Sequence, residues 1–296
     1  MSDGPVVVVG DVMRDISARL AAPPAPGSDT PAVVEARPGG GGANTAAWLA
    51  RLGVPVVFAG CVGDDEAGRE AARSLSEAGV DARLAVRPGR TGACVVIVGP
   101  DGERTMLTDP GANARLEPAD VPCDEIRPGG HLHVSGYALL RAGSRPAAVA
   151  ALAAARQAGV AASVDPASTA PLAEVGRDAF LGMALGAGTI IATRDEAEVL
   201  TGSREPEVAA PRLLRGRDEV VLKLGGEGAV WAGADGGVVR VPAAAPPGPV
   251  IDSTGAGDAF AAAWLAARRE GCGPRAALEA ACGLAARVVA RPGARP

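Results

Sequence analysis

The sequence predicts an α/β fold: a mostly parallel central sheet with helices on its faces, and a small second β-sheet beside it. Three observations predict this. Apolar runs of four to eight residues alternate with Ala-rich helical stretches along most of the 296 residues. Such alternation favours parallel pairing through right-handed crossovers. The alternation breaks around residues 83–107, where short strand-like segments follow one another around a Pro100-Asp101-Gly102-Glu103 turn. A hydrophobic content of 48% over this length also supports a large core.

The elements follow in order. Val6–Val9 is a buried strand stopped by Gly10-Asp11. A Pro-rich passage over 21–31 and a short apolar stretch at 32–34 come next. Gly39–Gly42 lead into a helix beginning at Ala43 and closed by Gly53. Val54–Cys61 is a strand, and a helix then runs to Gly79. Segments 83–86, 92–98 and 104–107 are strands that join residues near 12–35 in the small sheet, a natural lid over a crevice. The main domain is therefore 1–11, 36–82 and 114–296, and the lid is 12–35 and 83–113. Alternation resumes with strand 131–134, helix 145–158, strand 160–164, strand 188–192, helix 195–200 and strand 219–224. Two strands to Val241 and helices over 258–269 and 274–289 complete the chain. Ligands gather at the carboxyl ends of strands in an open α/β sheet. Asp11, Asp165, Thr193, Gly225 and the Gly255 turn all fall there.

Composition narrows the function. A net charge of −5 argues against a general nucleic-acid binder. Five scattered cysteines with no C-x-x-C pair suggest neither a disulfide framework nor a zinc knuckle, and fit reduced thiols in a cytosol. The chain runs into Val6–Val9 without a basic leader, and no breaker-free 18-residue apolar stretch occurs, so a soluble protein with no membrane partner is expected. Lys223 is the sole lysine and lies between two leucines, which excludes a Walker A loop.

The most informative stretch is Asp252-Ser253-Thr254-Gly255-Ala256-Gly257-Asp258, between an apolar run and an Ala-rich helix. Backbone N–H groups at such a turn, with the positive end of the helix, make an anion pocket. A carboxylate beside it, Asp258, can take a proton from a hydroxyl while the pocket holds a phosphoryl group. The combination suggests a kinase acting on an alcohol; the plainer reading is a capped helix start.

Three features together, Gly39-Gly40-Gly41-Gly42-Ala43-Asn44, the Asp195-Glu196-Ala197-Glu198 helix start and Asp252–Asp258, resemble the ribokinase (PfkB) family of carbohydrate kinases over essentially the whole chain. The resemblance implies a ribokinase-like three-layer α/β sandwich with a small β lid. It implies ATP- and Mg2+-dependent phosphorylation of a sugar-like alcohol. It makes Asp258 the catalytic base and Gly255, Ala256 and Gly257 the anion hole. Asp11 would hold substrate hydroxyls, and Asn44 would donate and accept toward a polyol. Gly39, Gly40 and Gly41 would let the backbone approach the sugar, although ribokinase itself carries lysine where Gly41 stands. Thr193 and Glu196 match the family's Asn-x-x-Glu motif, with Thr193 in place of Asn and Glu196 acting on Mg2+ through water. Lys223, Gly225, Gly226 and Gly228 would lie under the nucleotide. Asp252 and Thr254 match a loop that binds a monovalent cation, K+, in some relatives.

Other residues are read more weakly. Arg104 would project from the lid toward substrate or phosphate. Tyr137 would edge the substrate site. His131 and His133 share one side of a strand and read as packed or hydrogen-bonded histidines. Only seven aromatic residues argue mildly against a nucleoside substrate. Fructose, 2-keto-3-deoxygluconate, a nucleoside or a sugar phosphate remain alternative acceptors, and the opening Gly10–Asp15 is also similar to heptose-phosphate kinases. A dehydrogenase would need G-x-G-x-x-G after the first strand, which is absent. A non-catalytic sugar-binding protein would have lost Asp258 or the anion hole. A homodimer through the lid is expected from its exposed strand edges and from family habit.

Overall fold

The computed structural model describes residues 4–100 and 104–296, with Arg104 described by its backbone. The chain folds as β1 (Val6–Val9), β2 (Met13–Leu20), β3 (Ala32–Gly39), α1 (Gly41–Arg51), β4 (Val56–Gly63), α2 (Glu66–Glu77) and β5 (Asp81–Arg87). Then come β6 (Gly92–Val98), β7 (Arg104–Asp109), β8 (His131–Ser135), α3 (Gly136–Leu140), α4 (Arg145–Ala158) and β9 (Ala161–Asp165). Next are α5 (Thr169–Val175), α6 (Arg177–Met183), β10 (Thr189–Thr193), α7 (Arg194–Thr201), α8 (Pro206–Leu213) and β11 (Glu219–Lys223). The last elements are β12 (Ala229–Gly233), β13 (Val238–Val241), α9 (Ala256–Arg269) and α10 (Pro274–Val289).

A nine-stranded sheet in the order β13-β12-β11-β10-β9-β8-β1-β4-β5 forms the middle layer, and only β12 runs against its neighbours. β1 shows why the core is double. Its four valines are buried, and alternate side chains point to opposite faces. Val7 and Val9 join a cluster under α3–α8, whereas Val6 and Val8 join one under α1, α2, α9 and α10. Strands buried on both faces read as continuous apolar runs, as here. Helix α9 is buried along Ala259–Ala267, held between the sheet, α1 and α10. Alanines at that density let the helices approach closely while burying the large ring of Trp264 completely.

A separate four-stranded sheet, β3-β2-β6-β7, forms the small layer. Its membership corrects two readings. Segment 83–86, expected in the lid, lies in β5 and pairs in parallel with β4 at the edge of the large sheet. Helix α2 returns the chain beside β4, so β4-α2-β5 is a βαβ unit, and a parallel neighbour needs that crossover. Residues 36–39, expected in the main domain, are the end of β3 and pair with β2, Met13 opposite Gly39. The helices α3, α5, α6 and α8 are only five to eight residues long, too short for the sequence alternation to mark them.

Two glycines make the junction between layers. An added Cβ on Gly10 would meet Gly42 Cα at 2.7 Å, and one on Gly42 would meet Gly10 Cα at 2.6 Å. The end of β1 and the start of α1 therefore touch backbone to backbone. That contact fixes where Asp11 sits.

Candidate active site

Gly255 starts the site. It adopts φ +77° at the N-cap of α9, and an added Cβ would lie 2.5 Å from Ala294 Cα. Only glycine fits there without strain. The Ala256 amide donates to Ser253 O at 3.3 Å, but the amides of Gly255, Gly257 and Asp258 donate to no protein acceptor among the described residues. These N–H groups and the helix dipole converge on one spot, which favours an anion.

Asp258 stands in that first turn. Asn44 Nδ2 donates to its Oδ2 at 2.9 Å. A Cβ on Gly41 would lie 3.5 Å from Asp258 Oδ1 and 3.7 Å from both Asp11 Oδ1 and Ser135 Oγ. Gly41 is therefore the floor of a polar pocket bounded by the ends of β1 and β8 and the start of α9. Burial pushes the Asp258 carboxyl up to about 7; the Asn44 hydrogen bond opposes this, and Asp165 and Asp11 add to it. A base poised near neutral pH suits proton transfer.

Asp11 differs from a pure ligand. It accepts from the Gly41 and Gly42 amides at 3.0 and 3.1 Å and from Ser135 Oγ at 3.0 Å. It thus anchors the start of α1 while facing the pocket. Asn44 is likewise committed on both sides: its Oδ1 accepts from Arg295 Nε at 3.1 Å. Gly39 lies against the Asp15 carboxylate, and Gly40 at φ +98° lies against the Asp11 carbonyl.

Beside the α9 turn lies a cavity of about 660 Å³ lined by Thr193, Lys223, Gly225, Gly226, Gly228, Gly257 and an apolar wall that includes Phe260, Ala285 and Val289. Gly225 and Gly228 have φ +60° and +98°, and an added Cβ on Gly228 would clash with Val241 O. Gly226 has open space, so a ligand can pass close to its backbone. Lys223 Nζ pairs with Asp165 Oδ2 at 2.5 Å and lies 3.4 Å from where a Gly257 Cβ would stand. Burial alone would lower the Lys223 pKa, but Asp165 and Glu196 outweigh it and the net shift is upward. The sole lysine is therefore charged beside the anion hole.

Thr193 acquires a definite role. Its Oγ1 accepts from Glu196 N at 3.2 Å, and Glu196 Oε2 accepts from Thr193 N at 2.8 Å, a reciprocal capping box. Glu196 is buried, not solvated, and burial followed by Asp165 raises it to about 7. No cluster of three His, Cys, Asp or Glu side chains suited to a metal occurs among the described residues. Mg2+ carried by phosphates and waters needs no such cage. Glu196, with the Asp165 carboxylate nearby, fits that outer role.

The remaining readings divide. Tyr137 lines a small cavity with Asp11 and Arg141 and hydrogen-bonds Ser168, and burial followed by Asp11 raises its hydroxyl pKa. The Arg104 side chain lies outside the described residues. Asp252 ties two loops together, accepting from Thr254 N at 2.9 Å and Gly293 N at 3.2 Å. His131 Nε2 and His133 Nδ1 both reach Ser163 Oγ at 2.8 Å, packed and hydrogen-bonded between β8 and β9.

Three residues escaped the sequence reading of the site: Asp15, Ser135 and Arg295. Ser135 ends β8 as Asp165 ends β9, so the strand-end rule that marked Asp165 could have found it too. Asp15 is held up to about 6 by burial and by Asp11, and lies on β2 facing the crevice. Arg295 comes from beyond α10 and carries no local signal.

A parallel α/β sheet with a β lid, an anion pocket at a helix start and a carboxylate poised beside it define a phosphotransferase. The chain matches the pfkB family of carbohydrate kinases over residues 4–296. It is 32% identical over 302 residues to the ATP-dependent ribose-1-phosphate kinase of Halopiger xanaduensis, covering 98% of this chain and 93% of that one. It is 37% identical to a fructokinase of Klebsiella pneumoniae over 238 residues, 77% of this chain and 76% of that one. A ribokinase II candidate from Escherichia coli, solved with ATP and Mg2+, superposes with a TM-score of 0.86 at 27% identity, covering 98% and 94% of the two chains. The protein belongs to the pfkB family of carbohydrate kinases and is an ATP-dependent sugar kinase. No helix among the described residues is long and apolar enough to cross a membrane.

Proposed function

We propose that the protein transfers the γ-phosphoryl group of ATP to a hydroxyl of a small neutral sugar, with Asp258 as general base. The observation that carries this is Asp258 beside the unpaired amides of the α9 turn, across Gly41 from Asp11. The acceptor hydroxyl gives its proton to Asp258 as its oxygen attacks γ-phosphorus and the bond to the β–γ bridging oxygen breaks. The Gly255, Gly257 and Asp258 amides take the charge on the migrating group, and Lys223 adds a cation. When bound, Mg2+ neutralises charge on the nucleotide phosphates, with Glu196 organising its waters. K+ would sit on carbonyls of the loop pair tied by Asp252.

The pocket's own charge favours a neutral acceptor. Asp11, Asp15 and Asp258 face it, and Arg295 beside them already donates to three protein acceptors. A coupled ADP-release assay across ribose, fructose, 2-keto-3-deoxygluconate, adenosine and ribose 1-phosphate tests this. Turnover is expected with a free sugar, ribose or fructose foremost. Turnover confined to ribose 1-phosphate or adenosine overturns the neutral-sugar reading.

A homodimer through the lid is part of the proposal. β3 and β7 are the edges of the small sheet, and Val33 and Val34 on β3 are 64% and 63% exposed. Such edges invite pairing unless covered. Light scattering is expected to give twice the chain mass at micromolar concentration, and a monomer throughout would reject the dimer.

A further inference from the structure

We infer that Arg295 is a positioning residue for the reaction, fixing the Asn44 amide so that its NH2 group faces Asp258 and holds that carboxylate oriented and ionised. The inference rests on the reading of Asp258 as the base.

An asparagine amide can turn over, exchanging its oxygen and nitrogen. Against an ionised Asp258 only the nitrogen-inward state is favourable, since the inverted state sets oxygen against oxygen. What stands on the other side of Asn44 decides the choice. Arg295 Nε does, donating to Asn44 Oδ1 at 3.1 Å. A guanidinium has donors and no acceptor, so it can meet only the amide oxygen. The amide nitrogen is thereby left to Asp258 Oδ2.

Arg295 is itself fixed. Its Nη2 donates to Gly39 O at 2.8 Å and its Nη1 to Ser74 Oγ at 3.1 Å, so one fork spans the end of β3, α1 and α2. Its backbone is pinned by two neighbours. Ala294 packs against Gly255, where a Cβ would not fit, and the Ala294 carbonyl accepts from Trp48 Nε1 at 2.8 Å. Arg291 lies over the Trp48 ring at 4.7 Å and donates to the Arg295 carbonyl. The same segment thus touches the anion-hole turn through Ala294 and the base through Arg295 and Asn44.

Charge acts in the same direction. Burial lowers the Arg295 guanidinium to about 10, opposed by Asp15, Asp11 and Asp258. The groups around Asp258 are Asp11 at the end of β1, Asp165 of β9, Lys223 of β11, Tyr137 of α3 and Arg295. Without Arg295, the acids outnumber Lys223 alone, so the ionised form of Asp258 loses support.

The test compares Arg295→Met, Arg295→Gln and Arg295→Lys. In Arg295→Met the acid limb of kcat/KM for the sugar is expected to move up by about one pH unit. Activity should fall roughly fivefold to tenfold at pH 7 and approach wild type above pH 9, with KM for ATP unchanged. Arg295→Lys restores the limb in part, because the charge returns. Arg295→Gln, which keeps a donor without the charge, falls between. In parallel, 13C-carboxyl NMR of the free enzyme follows the one resonance lost in Asp258→Asn. Its midpoint is expected to rise in Arg295→Met. An unmoved midpoint and acid limb in a folded Arg295→Met or Arg295→Gln protein overturns the inference. If Asp258→Asn proves active, the base reading fails, and the NMR titration still decides the action of Arg295 on Asp258.

Discussion

Asp258→Asn is expected to cut turnover by roughly 10²–10⁴-fold and, at the same time, to make the free protein more stable. The substitution keeps the shape of the side chain and the hydrogen bond from Asn44 Nδ2, since an amide oxygen accepts as a carboxylate oxygen does. The anion hole stays intact, so nucleotide affinity should change little. Only the proton acceptor is lost. The stability gain comes from the same cause as the catalytic power. Burial and the Asp165 and Asp11 charges hold Asp258 near 7 instead of its ordinary 3.8. A carboxyl with a raised folded-state pKa binds its proton more tightly when folded. It therefore costs stability above that pKa and costs nothing below the unfolded value. Each unit is worth about 1.4 kcal/mol, and contact with the open cleft discounts the total to about 1–3 kcal/mol. Calorimetry should show Asp258→Asn melting a few degrees above wild type at pH 8, with the gap closing by pH 4. Near-wild-type turnover would remove Asp258 from the mechanism. A lower melting point at pH 8 would show that its charge is not the strained element.

The local parts of this site were readable from the chain. The Gly255–Asp258 turn sits at a helix start because a small-residue run there leaves little else to build. Lys223 and Gly225 fall at a strand end because apolar β11 must stop where the crevice begins. Thr193 and Glu196 were legible as a motif, but their capping box was not, because the sequence suggested a motif with one residue changed. What stayed hidden came from long-range placement. Nothing near Arg295 says that its segment packs against Gly255, 40 residues earlier, or that its guanidinium ends at Asn44. The membership of β5 failed for a related reason. Segments 81–87, 92–98 and 104–109 look alike locally, and only the helix before the first of them marks it as a parallel return. Asp11 was legible as a site residue but not as the anchor of α1, a task set by the contact of Gly10 with Gly42.

Ser163→Ala is expected to be the most damaging small substitution away from the site, costing about 3 kcal/mol. Ser163 is fully buried in β9, opposite His133 in β8. Its hydroxyl has one donor and two acceptor positions, so it can donate to one imidazole and accept from the other. Both contacts are 2.8 Å. Alanine would strand the His133 ring nitrogen in the sheet interior with no partner supplied by Ser163. The pair also writes a pH signature. Burial lowers His133 to about 4 and His131 to about 3, so the folded state keeps them neutral where the unfolded chain takes up protons near 6.5. Groups with depressed folded values contribute stability that is complete above the unfolded value and is lost as pH falls toward the folded one. Asp15, Glu196 and Asp258 act in the opposite sense over the same range, so the wild-type curve alone is blunt. The difference between wild type and His133→Gln isolates the histidine. Denaturant unfolding should show that difference shrinking by about 3 kcal/mol between pH 7.5 and pH 4. A difference independent of pH would mean that His133 titrates normally and that burial does not hold it neutral.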